Sequence, residues 1–238
     1  MRRGRWLAAA AVLAAALSAG CDAMPGRPRP GSEVVPPDRV SDFGALYRDN
    51  CAACHGENGK GGAGAIGLAD PVYLAIVDDA TLRRVTAAGM AGTLMPAFAR
   101  SSGGMLTDEQ VEILVRGIRG WASPASLAGA SPPPYAGGEG DASRGASVFA
   151  AYCSACHGPG GAGGPKGGSI VDGSFLGLVS DQGLRTTIIA GRPDIGQPDW
   201  RNDVPGRPMS GQEVSDVVAW LAARRPATPG QPYPGRIQ

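Results

Sequence analysis

Two stretches, TDEQVEILVRGI from Thr107 and SGQEVSDVVAWL from Ser210, set apolar positions near helical spacing behind a polar start. Each predicts an amphipathic helix opened by a capping box, Thr107 with Gln110 and Ser210 with Glu213. Upstream of each, SDFGALYRDNCAACH and DASRGASVFAAYCSACH read as helical runs with N-caps near Ser41 and Asp141. Middle helices are expected over Asp79 to Ala88 and Asp181 to Ala190, closed by Gly89 and Gly191 as left-handed C-terminal residues. The pattern is all-α.

These elements come in matched pairs. At one constant, ungapped offset Cys51 meets Cys153, Gly56 meets Gly158, Asp70 meets Asp172, Leu82 and Arg83 meet Leu184 and Arg185, and Gly89 meets Gly191. The chain therefore reads as a duplication. Between and around the halves the periodicity stops. The apolar run Trp6 to Leu17 follows Arg2, Arg3 and Arg5 and ends in small residues, the layout of a secretory signal, and it is short for a membrane span. The expected organisation is a signal peptide over 1–20, a Pro/Gly-rich tether over 21–37, domains over 38–122 and 137–226, a linker over 123–136 and a tail over 227–238. The segment LSAGC resembles the lipobox of bacterial lipoproteins, with Ser18 where Leu is usual. That resemblance implies acylation of Cys21 and a lipid anchor on the periplasmic side of the cytoplasmic membrane; ordinary cleavage would leave a soluble periplasmic protein.

Composition makes a side-chain core alone look thin: aromatics are 5% of residues and glycines number 38. Cysteine usage supplies what the core lacks. Of five cysteines, Cys51 with Cys54 and Cys153 with Cys156 form Cys-x-x-Cys followed at once by His55 or His157. That spacing is the attachment signature of c-type haem, in which two thiols bind the macrocycle and the histidine binds iron. Zinc would need a fourth ligand from elsewhere, and a redox dithiol has no use for the adjacent histidine. Two covalent haem c groups are expected. The chain holds only two histidines, both used, so no second histidine can ligate either iron, and methionine is the leading sixth ligand. A net charge of +1 and the presence of only two lysines, Lys60 and Lys166, give no basis for nucleic-acid binding or lysine-ring steering.

With these motifs in place, each half resembles a class I cytochrome c domain. The resemblance implies first and last helices packed around a covalent haem with an exposed edge, and an electron carrier rather than a catalyst of bond-making chemistry. It also points to Met95 of TLMPAF as the sixth ligand of the first haem, with Met90 and Met105 as alternatives. The second half departs from the pattern: Gln197 aligns with Met95, while Pro198 and Trp200 keep the places of Pro96 and Phe98. Met209, brought in by a rebuilt loop, is the expected ligand there, with Gln197, an open iron or Lys166 as rivals. The functional expectation is a di-haem electron-transfer protein of a bacterial respiratory chain, its redox partners being a quinol-oxidising complex and an oxidase or reductase. A peroxidase-like haem enzyme or a gas-binding sensor at an open second haem is the alternative. The stretch AGRPDIGQPDW is similar to cytochrome subunits associated with alternative complex III and oxidase systems.

Overall fold

A computed structural model describes residues 34–62, 65–122, 127, 129–202 and 207–227. The expected signal peptide, Cys21, most of the tether and nearly all of the tail lie outside the described residues. Among the described residues the chain is helical, and extended backbone pairs only as isolated bridges. The all-α expectation holds. None of these helices is long and apolar enough to cross a membrane.

Contacts divide the chain after Arg39: the described part before that point is a short 3-10 turn, Pro37–Arg39, and everything from Val40 on forms one unit containing both halves. The first half runs α1 (Phe43–Asn50), α2 (Ala52–His55), α3 (Pro71–Ile76), α4 (Asp79–Ala88) and α5 (Asp108–Arg119); the second runs α6 (Ala142–Tyr152), α7 (Ser154–His157), α8 (Gly173–Leu178), α9 (Asp181–Ala190) and α10 (Gly211–Ala222).

Both predicted capping boxes are present, at Thr107/Gln110 and Ser210/Glu213. Asp141 caps α6, but Asp42 rather than Ser41 caps α1, because the helix begins at Phe43 and the Asp42 carboxylate reaches the Ala45 N–H at 2.7 Å. The helices α3 and α8 escape a periodicity reading because each is less than two turns long. Asp70 and Asp172 open them, each carboxylate accepting two backbone N–H groups, and Pro71 sits at the first turn of α3. Gly89 (φ 69°, ψ −166°) and Gly191 (φ 73°, ψ −171°) end α4 and α9 with positive φ but extended ψ, not in the left-handed helical well. Only glycine adopts that backbone readily. The next loop also lies too close for a side chain, since a Cβ would fall 2.6 Å from Pro96 C or 2.7 Å from Pro198 C.

In each half the first and last helices cross on a glycine. In the first half it belongs to the last helix: a Cβ on Gly117 would fall 2.1 Å from the Phe43 ring, which meets Trp121 edge-on at 5.3 Å. In the second half it belongs to the first helix, where a Cβ on Gly145 would fall 2.1 Å from Asp216 O. There Phe149, 2% exposed, stacks on Trp220 at 4.4 Å. Asp216, almost wholly buried, accepts from Asp141 N and from the Arg144 guanidinium, tying α6 to α10.

An arginine at the end of each last helix closes its half. Arg119 donates to Leu74 O and Val77 O at 2.6 and 2.7 Å and pairs with Asp79. Arg225 repeats this on the aligned residues Leu176, Val179 and Asp181.

Candidate haem sites

Each Cys-x-x-Cys-His segment forms one helical turn. In the first, His55 N donates to Cys51 O at 2.9 Å; in the second, His157 N donates to Cys153 O at 3.0 Å. Gly56 (φ 74°) and Gly158 (φ 75°) then reverse the chain so that a loop folds back over the histidine. Gly61 N donates to His55 O at 2.8 Å and Gly163 N to His157 O at 2.9 Å. A Cβ on Gly56 or Gly158 would fall 1.9 or 2.1 Å from the carbonyl oxygen of Gly61 or Gly163, so the fold-back depends on glycine.

That loop holds each imidazole. His55 Nδ1 lies 2.8 Å from Ile66 O, and His157 Nδ1 lies 3.0 Å from Gly168 O. A carbonyl only accepts, so Nδ1 carries the proton in both rings and Nε2 keeps its lone pair for a metal. Burial lowers the His55 pKa, opposed by the Ile66 hydrogen bond, which favours the neutral ring that a ligand needs. Tyr47 Oη donates to Gly56 O at 2.9 Å and braces the same turn from α1.

The motif cysteines are unpaired. Burial, and then the neighbouring Cys54, pushes the Cys51 thiol up to about 11; burial, and then Cys156, does the same to Cys153. Reactive redox dithiols have the opposite shift. Among the described residues no three His, Cys, Asp or Glu side chains converge as a metal-holding group. Large apolar side chains lie open in each half, Leu94 and Met105 in the first and Phe175 and Leu178 in the second. The residues present thus fit a covalently held haem: unpaired thiols and an imidazole held through Nδ1 within one turn.

The loops expected to supply a sixth ligand share one backbone plan. Met90 N donates to Met95 O at 3.0 Å, and the aligned Arg192 N donates to Gln197 O at 2.9 Å. Met95 and Gln197 therefore occupy equivalent places, both partly buried. Gln197 Nε2 donates to Thr187 O at 3.1 Å; an acceptor there fixes the amide orientation and leaves Oε1 as the free end. Met209 sits elsewhere. Its N–H donates to Trp200 O at 2.8 Å just as Leu106 N–H donates to Phe98 O at 2.8 Å, and both side chains are buried, Met209 at 3% exposure and Leu106 at 6%. Met209 thus takes the core position of Leu106 ahead of the last helix, because the extra residue in the second half falls before it and not after. Of the other candidates, Met105 and Lys166 are exposed and Met90 is partly buried. Sequence reasoning missed the carbonyls of Ile66 and Gly168, since backbone acceptors leave no mark in residue type.

Comparison with known proteins agrees with this geometry. The family described as cytochrome c oxidase, cbb3-type, subunit III matches residues 38–116 and 140–221. The cbb3-type cytochrome c oxidase subunit FixP of Bradyrhizobium diazoefficiens is 31% identical over 164 residues, 65% of this chain and 52% of that protein. FixP of Azorhizobium caulinodans is 30% identical over 164 residues, 65% of this chain and 50% of its own. Subunit CcoP of an Azospirillum species is 31% identical over 127 residues, 48% of this chain and 38% of its own. The chain thus spans about half the length of these FixP relatives. With its two matched segments together covering more than half of its length, the chain belongs to the cytochrome c oxidase, cbb3-type, subunit III family.

Proposed function

We propose that the chain is a di-haem c-type electron-transfer protein of a bacterial respiratory chain. The observation that carries this reading is the duplicated Cys-x-x-Cys-His turn, each with its imidazole held through Nδ1 so that Nε2 is presented. Haem, when bound, supplies a one-electron couple at each site. The chain's own residues set that couple. Cys51 with Cys54, and Cys153 with Cys156, would hold the two haems covalently, and His55 and His157 would each offer an imidazole nitrogen to the iron. Met95 offers a thioether at the first site. At the second, Gln197 Oε1 is the donor in the equivalent place, while Met209 packs in the core. A thioether favours the reduced metal more than an oxygen donor does, so the first site has the higher potential.

The relatives are named as oxidase subunits, which supports an oxidase complex as the electron acceptor. A quinol-oxidising complex is the matching donor class. The signal-like N-terminus and Cys21 support a position at the periplasmic face of the cytoplasmic membrane, held by acyl chains, with ordinary cleavage and a soluble periplasmic protein as the alternative.

The test is a redox titration of the purified protein, with haem counted by intact mass. Two covalent haems per chain and two unequal midpoints are expected. Met95→Ala should lower only the higher midpoint, and Gln197→Met should raise only the lower one. A chain with no covalent haem overturns the reading, and coincident midpoints overturn the unequal sites. Ready carbon monoxide binding at the second site of the reduced wild type would turn that site into a ligand-binding centre and favour the enzyme or sensor class.

A further inference from the structure

Resting on the two-haem reading, we propose that Arg192 and Asp194 form a positioning clasp that holds the second site against the motif loop of the first and so fixes the route for electron exchange between them. Arg192 Nη2 donates to Gly62 O, in the other half, at 2.7 Å. The same guanidinium is oriented by Asp194, with Nε at 2.9 Å from Oδ1 and Nη2 at 2.7 Å from Oδ2. The Arg192 side chain is the better shielded, at 13% exposure, while Asp194 lies at the exposed rim, so solvent screens the ion pair in part and the hydrogen bond to Gly62 O carries most of the hold.

The contact falls on backbone that shapes the first site. Gly61, beside the contacted carbonyl, donates to His55 O, and a Cβ on Gly62 would lie 2.6 Å from Cys54 O. Gly61 (φ +96°) also lies against the clasp, where a Cβ would fall 3.1 Å from Asp194 Cγ. On the other side Arg192 exchanges both backbone hydrogen bonds with Gln197, the residue in the place of Met95. A continuous link thus runs from the His55 loop through Gly62 and Arg192 to Gln197. The first-half counterparts of Arg192 and Asp194 are Met90 and Gly92, which cannot make such a pair. The clasp therefore serves the joint between the halves and not the shared scaffold. Elsewhere on that joint α3 packs on α9, and Asp199 and Arg201 lie within electrostatic reach of Asp70.

The step served is simple. With haem held at both sites, one electron would pass from one site to the other with no bond or proton moved. A donor protein reduces one site, and an acceptor protein oxidises the other. A charge-assisted hydrogen bond of this kind shifts a local opening equilibrium by about tenfold to a hundredfold.

The experiment uses the full-length holoprotein as wild type, Arg192→Ala, Arg192→Lys and Asp194→Ala, with haem per chain counted first by mass. Three quantities are read: amide exchange at Gly61 and Arg192, the rate of inter-site electron equilibration after rapid photoreduction, and both midpoints. In Arg192→Ala, exchange should rise and equilibration slow by about tenfold or more, with both midpoints unchanged. Asp194→Ala should do the same more weakly. Arg192→Lys, which keeps the charge without the fork, should recover part of the rate. Two-haem Arg192→Ala protein with wild-type exchange and equilibration overturns the clasp alone. A wild type carrying fewer than two haems overturns the reading beneath it.

Discussion

Asp216 is the residue on which the crossing of α6 and α10 can be tested most sharply. Its carboxylate, 3% exposed, accepts from Asp141 N at 2.8 Å, from Arg144 Nε and Nη2 at 2.8 and 2.9 Å, and from Gln212 Nε2 at 2.9 Å. The Arg144 hydrogen bonds above all, with those from Asp141 N and Gln212, lower its pKa from 3.8 to about 2, against the opposing effect of burial. The shift corresponds to roughly 2.5 kcal/mol at about 1.4 kcal/mol per unit. Because Arg144 is 59% exposed, solvent screening brings this to about 2 kcal/mol, within the range of about 1.5–3 expected for hydrogen bonds to a charged group. A depressed carboxylate pKa stabilises the fold fully above the unfolded value, near 4. The stabilisation fades as pH falls through the folded value, near 2. Asp216→Asn keeps the shape and an acceptor but loses the charge. In urea unfolding followed by far-UV circular dichroism it should be about 2 kcal/mol less stable than wild type at pH 7. The gap should narrow steadily from pH 4 toward pH 2. Amide exchange should place the loss in α6 and α10, since the aligned residue of the first half is Ile113. A difference equally large at pH 7 and pH 2 would refute the reasoning, because the charge would then contribute nothing.

The glycine crossings should respond unequally to Ala. In Gly145→Ala the Cβ meets the Asp216 backbone, which cannot swing away, so thermal unfolding should show a loss of about 2 kcal/mol after the gain in helix propensity; in Gly117→Ala the Phe43 ring can turn, and the loss should stay under about 1 kcal/mol. Arg225→Met should cost about 2 kcal/mol by leaving Leu176 O and Val179 O short of their donor, with faster amide exchange in α8 and in the first turn of α9, and Arg119→Met should do the same to α3 and α4.

What the sequence revealed follows from what has a short-range signature. Capping boxes, the two haem motifs and the long amphipathic helices are patterns within a few residues, and Thr107, Ser210, Cys51 and Cys153 were legible on those grounds. The arginine closures were not. Once the extra residue of the second half is allowed for, Arg119 aligns with Ala222, and the equivalent Arg225 comes one helical turn later, so alignment hides a shared role that the side-chain length makes possible. Met209 was ambiguous for a related reason: methionine is both an iron ligand and a packing residue, and its backbone bond to Trp200, matching Leu106 to Phe98, marks a place in the fold that residue type does not. The clasp at Arg192 joins residues far apart in the chain through a backbone carbonyl, which no spacing rule reports.

The aligned arginines Arg83 and Arg185 show how two copies of one scaffold differ in what they fix. Arg83 pairs at the surface with Glu112, an interaction of small worth in water. Its counterpart Arg185 faces Ser215, the residue in the place of Glu112, at 3.1 Å from Oγ, and no carboxylate among the described residues pairs with it. Arg185 is 4% exposed, and burial lowers its pKa, so the cation must be satisfied by other acceptors. It finds them in Pro134 O at 2.9 Å and Tyr135 O at 3.0 Å, within the stretch expected as linker, and Gln182 Nε2 adds a bond to Tyr135 O at 3.0 Å. With serine where the first half has a carboxylate, the second half's arginine anchors the connecting chain instead. A tethered pair of carriers would need no such anchor. A fixed linker beside a clasp at Gly62 makes sense where the spacing between two redox sites matters, and both devices reside in residues that the first half lacks or uses otherwise.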